Sequence, residues 1–295
     1  MSQVKELHRS YLFVPGSEPR RVDKSLEVPA DVLIFDLEDA VLPHEKSYAR
    51  QLVVDTINAP ELMKRKKIIR VNGVSTPWFE DDIAAISECM NTDIMLPKCE
   101  SVENLNLVRT LIKQTGCALF GLVETARGVL NLADIVRDFP VPGTLCFGHV
   151  DFAADMELSD SDASKGAVYH ARCQIALASK ASGLTAIDNI CLDVCNEQVI
   201  RDDALLGMHL GYGGKLCIHP RQVVIVNEVY TPTADQVSRA KAILTAWEEV
   251  KQQDVGVFVY ENKMIDLPAI RAQEHLLKRA EAISISHTDN NQVEE

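Results

Sequence analysis

Eight short apolar runs alternate along the chain with longer segments of helical periodicity, and few architectures accommodate this alternation. The runs are rich in Val, Ile, Leu and Phe, and they lie at residues 11–15, 32–36, 68–72, 93–97, 118–124, 144–148, 186–191 and 215–219. Runs of this kind are typical of parallel strands that helices cover on both faces. Eight β/α units in a chain of 295 residues predict an α/β fold that closes into a (β/α)8 TIM barrel.

An open, doubly wound sheet is the alternative fold. Such sheets usually carry a glycine-rich nucleotide-binding turn after the first strand. Here the first run is followed by Gly16 and Ser17, without the expected glycine spacing. A second glycine-rich stretch, 211–214, leads into a strand, so we interpret it as a turn that ends a helix. The sequence therefore favours the closed barrel.

The eight units lie within residues 9–230, which are predicted to form the barrel domain. Residues 231–283 continue with helical periodicity around a short apolar segment and form an extension to the barrel. Residues 284–295 are polar and are expected to be a disordered tail.

The charge and hydropathy of the chain exclude two classes of partner. The net charge is −13, whereas nucleic-acid surfaces require clustered Lys and Arg. No apolar run approaches the ~20 residues of a membrane helix, and the N-terminus lacks a signal core. We therefore expect no nucleic-acid partner, no membrane association and a cytoplasmic location.

Polar residues close several of the apolar runs. The active site of an α/β barrel lies at the C-terminal ends of its strands, so these residues are the first candidates. Glu124 and Asp151 follow consecutive strands, and two carboxylates suit a hard cation such as Mg²⁺ that keeps positions for water and substrate. Alternatively, each carboxylate caps the helix that follows it. The residues alone leave both interpretations open.

Basic side chains at the strand ends are also candidates. The planar Arg70 suits a grip on a substrate carboxylate, although a structural ion pair with Asp36 or Glu38 competes with that role. Lys98 is compatible with Schiff-base chemistry, with a phosphate or CoA contact, or with an ion pair. A lone histidine such as His149 is more often a hydrogen-bonded structural residue than a base or a metal ligand.

Seven stretches in order carry a family resemblance that runs from residue 9 to about residue 268. They read RSYLFVPG at 9–16, FDLEDAV at 35–41, IRVNG at 69–73, MLPK at 95–98, GLVETA at 121–126, DFAAD at 151–155 and GKLCIHP at 214–220. Together they resemble the citrate-lyase-beta-like branch of the 2-oxoacid aldolase superfamily. One departure lies at 189–191, where relatives often carry an aspartate-glycine-containing strand, and it leaves the fine substrate specificity open.

The resemblance implies a Mg²⁺-dependent carbon–carbon lyase that is a homotrimer or hexamer. Its expected substrate is a 3-hydroxyacyl-CoA such as (S)-citramalyl-CoA, which yields pyruvate, a small 2-oxoacid, and acetyl-CoA. The alternatives are a malyl-CoA lyase, a thioesterase or malate-synthase-like enzyme, or the beta subunit of citrate lyase. A non-catalytic protein that binds a CoA ester or an oxoacid is the alternative from another class.

The resemblance also implies roles for individual residues. Glu124 and Asp151 would bind Mg²⁺, with Glu124 also close to the substrate, and the CoA would lie across the barrel mouth. Arg70 would hold the oxoacid carboxylate, ordered by Asp36 and Glu38.

Two further assignments complete the predicted site. Lys98 is expected to contact the substrate. The extension, 231–283, resembles a lid that packs on a neighbouring subunit, where Asp266 would act as acid or base. The alternative role for Asp266 is to cap the following helix.

Overall fold

Eight parallel strands close into a barrel in which each strand pairs with the next along the chain and the eighth pairs with the first. The computed structural model describes residues 7–291 except 64, 88, 90, 113–116, 140–142 and 252–255, and for residues 61 and 284–291 it describes only the backbone. The predicted (β/α)8 barrel is confirmed.

Helices surround the barrel between consecutive strands. The strands are β1 (Ser10–Pro15), β2 (Val32–Asp36), β3 (Lys66–Arg70), β4 (Asp93–Leu96), β5 (Leu119–Val123), β6 (Gly143–Phe147), β7 (Thr185–Asp188) and β8 (Gly214–Cys217). The helices are α1 (Pro19–Ser25), α2 (Lys46–Ile57), α3 (Phe79–Ile86), α4 (Val102–Leu111), α5 (Ala126–Leu130), α6 (Leu132–Arg137), α7 (His149–Asp155), α8 (Gly166–Ala181), α9 (Glu197–Leu210) and α10 (Pro220–Tyr230). Short 3-10 helices occupy Pro43–Glu45 and Pro60–Leu62.

The strands are mainly apolar because both of their faces are buried. Along β2, Val32 and Ile34 belong to the cluster that fills the barrel, whereas Leu33 and Phe35 belong to the cluster shared with the surrounding helices. Successive side chains of a strand point to opposite faces, so both sets must be apolar.

Local signals fix where helices begin and end. The Thr125 hydroxyl accepts a hydrogen bond from the Gly128 amide at 3.1 Å and caps α5. Gly211, at a φ of +96°, ends α9, as the glycine-rich stretch 211–214 predicted.

The chain divides into two compact units, with the boundary between Tyr230 and Thr231. The smaller unit contains α11 (Ala234–Lys251), the antiparallel pair β9 (Val257–Tyr260) and β10 (Lys263–Asp266), and α12 (Leu267–Asn291). Its core consists of Ile243, Trp247, Ile265 and Ile270. That residues 231–283 pack on a neighbouring subunit stays a prediction.

The C-terminal end differs from the sequence expectation. A disordered tail was predicted from residue 284, but the helix α12 continues to Asn291. Once a helix has formed, each added residue gains one hydrogen bond for one residue fixed, so polar residues can extend it. The last four residues of that prediction, 292–295, lie outside the described residues.

The described helices include none that is long and apolar enough to cross a membrane.

Candidate active site

An ion pair joins the ends of β2 and β3. Asp36 and Arg70 are the last residues of these strands and are partners in the parallel register, so their side chains meet at the barrel mouth. Arg70 Nε donates to Asp36 Oδ1 at 2.7 Å and Arg70 Nη2 donates to Asp36 Oδ2 at 2.6 Å. The guanidinium also lies 4.9 Å from the centre of the Phe13 ring.

The charges around Arg70 keep both partners ionised. Burial alone would lower the pKa of Arg70, but Asp36, Glu38 and Glu124 raise it instead. Burial would likewise raise the pKa of Asp36, but Arg70 and two backbone amides lower it. Arg70 therefore forms the ion pair with Asp36 that was the alternative to a substrate-binding role. Its Nη1 group lies 3.0 Å from Glu38 Oε2 and makes no bond to Asp36. A guanidinium has five N–H groups, so donors remain for a substrate carboxylate.

Lys98 connects the Arg70 pair to the next carboxylate. Its Nζ donates to Glu38 Oε1 at 2.9 Å, and its backbone amide donates to Glu124 Oε1 at 2.9 Å. Its φ of +49° is unusual for a residue with a Cβ. Burial lowers the pKa of Lys98, but the hydrogen bond and charge of Glu38 raise it overall. A protonated, ion-paired amine is a poor Schiff-base nucleophile, so the geometry favours binding over covalent chemistry.

Glu124 and Asp151 lie at the ends of β5 and β6. Glu124 is 1% exposed, and Thr125, not Glu124, caps the helix that follows, so the capping interpretation is wrong for Glu124. Asp151 occupies the first turn of α7, where a helix N-terminus favours negative charge. Gly148 leaves the space that Glu124 occupies, since a Cβ there would lie 2.5 Å from Glu124 Oε2.

Both carboxyl groups have raised pKa values. Burial raises the pKa of Glu124 to about 8, aided by Asp151 and Glu38 and opposed by Arg70. Burial and Asp39 raise the pKa of Asp151. A divalent cation would stabilise the ionised forms of the buried Glu124 and the partly buried Asp151.

The residues around this pair suit Mg²⁺ better than they suit a metal ion that takes all of its ligands from the protein. Glu124 and Asp151 line a cavity of about 60 Å³ together with Arg70 and Phe13. Within the described part of the chain, no group of three or more His, Cys, Asp or Glu side chains is arranged to hold a metal. Mg²⁺ is commonly bound by one or two carboxylates and keeps its other positions for water and substrate oxygens.

A buried lysine that the sequence did not single out supports the acidic loop after β2. Lys46 Nζ donates to the carbonyl oxygens of Leu37 and Glu38, each at 2.8 Å, and to Asn72 Oδ1 at 2.7 Å. Its ammonium also lies 5.1 Å from the centre of the Trp78 ring. A lysine at the start of a predicted helix gives no sign of burial, so its sequence position could not have revealed this role.

A second buried ion-pair network lies where β7 ends, beside β8. Asp188 accepts from Arg172 and, at 2.8 Å, from Lys215. His149 is close to this network, and its pKa is lowered to about 4 by burial and by the charge of Lys215. His149 is therefore a neutral imidazole.

Asp266 belongs to the smaller unit. Its Oδ1 accepts a hydrogen bond from the Ala269 amide at 3.1 Å, so it caps α12. Any role in a neighbouring subunit stays a prediction.

The chain is similar to known proteins over most of its length. A model of the HpcH/HpaI aldolase/citrate lyase family matches residues 9–220. The (3S)-malyl-CoA thioesterase of Cereibacter sphaeroides is 34% identical over 94% of this chain and 95% of its own length. The citrate lyase subunit beta of Leuconostoc mesenteroides subsp. cremoris is 30% identical over 98% of this chain and 99% of its own.

A solved structure shows the same likeness. The protein CitE from Mycobacterium tuberculosis, in complex with magnesium, acetoacetate and coenzyme A, aligns with a TM-score of 0.78 and 30% identity. The alignment covers 93% of this chain and 98% of that one.

Proposed function

Because the chain belongs to the HpcH/HpaI aldolase/citrate lyase family, we propose that it is a Mg²⁺-dependent lyase of 3-hydroxyacyl-CoA thioesters, with (S)-citramalyl-CoA as its first substrate. Cleavage of the bond between the carbinol carbon and the thioester CH₂ group would give pyruvate and acetyl-CoA. The hydroxyl group loses a proton, the bonding electrons pass to the thioester enolate, and the enolate carbon gains a proton.

The observation that carries this proposal is the meeting of Arg70 with Glu124 and Asp151 in one small cavity at the C-terminal ends of the strands. An anionic substrate needs a cation to hold its carboxylate, and the oxygen at C2, which carries negative charge once the hydroxyl proton is lost, needs a second positive centre. Arg70 supplies the first, and the two carboxylates suit Mg²⁺ for the second. That CitE is in complex with magnesium and coenzyme A supports the same assignment.

Each residue of the site would have its own role in binding. Arg70 would hold the oxoacid carboxylate through the N–H groups that Asp36 does not use, while Asp36 and Glu38 fix its orientation. Glu124 and Asp151 would hold Mg²⁺, which supplies Lewis acidity when bound. Arg70 and Glu124 are buried, and burial strengthens the electrostatic interactions that they make.

We assign Lys98 to the rim of the site. Its ammonium is half exposed and is anchored by Glu38 at 2.9 Å, so it can offer a positive charge to the thioester half without leaving its ion pair. Its backbone amide fixes Glu124, so the residue would both bind the substrate and position a metal ligand.

Asp266 is assigned as the acid or base, acting in a neighbouring subunit as the resemblance implies. The outer face of the β9–β10 hairpin supports this, because Val259 lies opposite Met264 and Val257 lies opposite Asp266. Val259 is 69% exposed and Met264 is 76% exposed in the single chain. Large apolar side chains this exposed are typical of a surface that another molecule covers.

A product-resolved assay tests the function. Purified protein is incubated with (S)-citramalyl-CoA, malyl-CoA and citryl-CoA, with Mg²⁺ or with chelator, and the products are identified by mass spectrometry. We expect pyruvate and acetyl-CoA from citramalyl-CoA in the presence of Mg²⁺ only. Absence of carbon–carbon cleavage from every thioester, or cleavage that persists in chelator, contradicts the proposal.

Hydrolysis of malyl-CoA is the second candidate, favoured by the 34% identity with a (3S)-malyl-CoA thioesterase. The same assay separates the two, since hydrolysis gives free CoA and malate instead of an oxoacid and acetyl-CoA. Cleavage of malyl-CoA would give glyoxylate, which differs from pyruvate by one methyl group. A pocket gains only ~1–3 kcal/mol of binding free energy from such a difference.

A further inference from the structure

A second cavity adjoins the small cavity that contains Arg70. It measures about 430 Å³ and lies between residues 161–164, the segment 189–193 and α9. His149 and Ile190 line both cavities, so the two are neighbours. Its size falls within the ~300–1,000 Å³ that is usual for a ligand site, and we call it the lateral cavity.

Two buried polar groups on the wall of the lateral cavity have no hydrogen-bond partner among the residues that the structure describes. Asn189 is 1% exposed, and its Nδ2 donates to the Ile190 carbonyl at 2.7 Å, while its Oδ1 accepts no bond. His149 is 3% exposed, and its Nδ1 is also without a partner. Buried polar groups are almost always hydrogen-bonded, so a ligand that donates to Asn189 Oδ1 would complete this wall.

The charges of the lateral cavity restrict that ligand further. Four aspartates line it, and its described lining includes neither Lys nor Arg; the four are Asp162, Asp193, Asp202 and Asp203. A second carboxylate or a phosphate would face these carboxylates directly, because the cations that pair with Asp162 and Asp203 lie outside the lining. The aliphatic side chains of Leu192, Val199 and Leu206 complete the lining and suit carbon atoms.

We infer that the lateral cavity is a specificity subsite for an uncharged side chain with a hydrogen-bond donor, carried by the oxoacid half of the substrate. This inference deepens the proposed function and rests on it. The oxoacid carboxylate stays at Arg70, and the side chain passes His149 and Ile190 and donates to Asn189 Oδ1. Among 2-oxoacids longer than pyruvate, the subsite then favours those that end in a hydroxyl group and not in a second carboxylate.

Calorimetric titration of the full chain with oxoacids in Mg²⁺, without CoA, tests this subsite. The matched probes are 5-hydroxy-2-oxopentanoate, 2-oxohexanoate, which replaces the hydroxyl with a methyl group, and 2-oxoglutarate, which replaces the terminal CH2OH group with a carboxylate. We expect the hydroxy acid to bind roughly 3- to 10-fold more tightly than either of the others, as one hydrogen bond allows. Asn189→Leu should abolish that ratio, and Asn106→Leu, the same change at an exposed site on α4, should keep it.

Leu206→Trp, which narrows the cavity from α9, is the second variant if Asn189→Leu does not fold, and it should also abolish the ratio. Equal dissociation constants for the three acids in the wild type, or a ratio that survives in the variants, overturns the inference. So does faster condensation of pyruvate with 3-hydroxypropionyl-CoA than with acetyl-CoA in a protein that shows no oxoacid preference, because the cavity would then serve the acyl half.

Pyruvate release from citramalyl-CoA keeps the two proposals apart. Cleavage without an oxoacid preference contradicts only the subsite. An oxoacid preference without cleavage of any thioester contradicts the proposed function and leaves the subsite as a binding site.

Discussion

The Glu124 carboxyl couples metal binding to pH. Its pKa of about 8 lies above the ordinary value, so the metal-free fold favours the neutral acid. That contribution to stability is complete below the ordinary pKa of the carboxyl and is lost as the pH rises through about 8. A divalent cation needs the ionised form, so Mg²⁺ binding must displace the proton.

The apparent affinity for Mg²⁺ should therefore rise about tenfold per pH unit up to about pH 8 and then level off. Calorimetry at about pH 6.5, in buffers of different ionisation enthalpy, should register the release of about one proton per bound ion. Binding without proton release at that pH would mean that Glu124 is already ionised or is not a ligand.

Arg70→Lys should damage the oxoacid half of the reaction. The lysine keeps the charge but loses the paired bonds to Asp36 and the remaining fork for substrate. We expect the KM for pyruvate in the condensation direction to rise roughly 10- to 100-fold, with a fall in Tm because Asp36 loses a buried partner.

Arg201→Lys is the control for this change, because Arg201 forms an exposed ion pair with Glu228 at 2.6 Å. Exposed pairs contribute only about 0–1 kcal/mol, so this variant should keep its KM and Tm. If Arg70→Lys has an unchanged pyruvate KM, Arg70 is purely structural.

Single residues differ in how visible they are in the sequence. Arg70 and Asp36 could be predicted as site residues because each closes an apolar run, and parallel register then brings them together. Lys46 and Asn189 could not, since a lysine at a helix start and an asparagine after a strand are ordinary in exposed positions. Lys46 is buried against Asn72, and Asn189 is buried beside a cavity that α9 also lines, and only the folded chain creates these surroundings.

The junction of β6 and α7 requires a residue without a side chain. At Gly148 a Cβ would lie 2.5 Å from Glu124 Oε2 and 2.7 Å from Glu124 Cβ, so Gly148→Ala must displace the metal ligand. Overpacking of this kind costs about 1–3 kcal/mol, which corresponds to Mg²⁺ binding weakened roughly 5- to 150-fold.

Gly256→Ala is the matched control, because a Cβ at that position meets nothing within 4 Å. Titration of Mg²⁺ into both variants makes the comparison. Equal metal affinity in Gly148→Ala and Gly256→Ala would separate Glu124 from the metal site.

Strand cores could be predicted more accurately than strand ends. The run at 32–36 coincides with β2, whereas the run at 186–191 extends past the end of β7 at Asp188. Ile190 is apolar and Asn189 is buried, as residues of a buried strand would be. Both nevertheless lie in a loop that lines the lateral cavity. The pattern of burial is similar in a strand and in a buried loop, so periodicity cannot separate them.

At the scale of the whole molecule, barrel closure follows from the count of β/α units, but the way in which chains assemble does not.

Asp266→Asn should cut turnover severely. Mg²⁺ binding should be retained, because Asp266 lies outside the barrel unit that contains Glu124 and Asp151. Loss of its cap would lower stability by only ~1 kcal/mol.

Mixing tests whether the site is composite. Equal amounts of Asp266→Asn and Arg70→Lys chains, unfolded and reassembled together, should recover about one quarter of wild-type activity. Each site of a cyclic oligomer would take Arg70 from one chain and Asp266 from its neighbour, and about one quarter of the sites then have both residues intact. No recovery, or an active monomer by light scattering, would leave Asp266 as a helix cap.

The dependence of pyruvate release from (S)-citramalyl-CoA on Mg²⁺ concentration, in the wild type and in Glu124→Gln, addresses the metal-dependent cleavage itself. Glu103→Gln, an exposed change on α4, is the control. We expect the wild type and Glu103→Gln to saturate with Mg²⁺ and to stop in chelator, and Glu124→Gln to release no pyruvate at any Mg²⁺ concentration that keeps it folded. Wild-type rates in Glu124→Gln, or rates that chelator does not change, would contradict a Mg²⁺ site at Glu124 and Asp151.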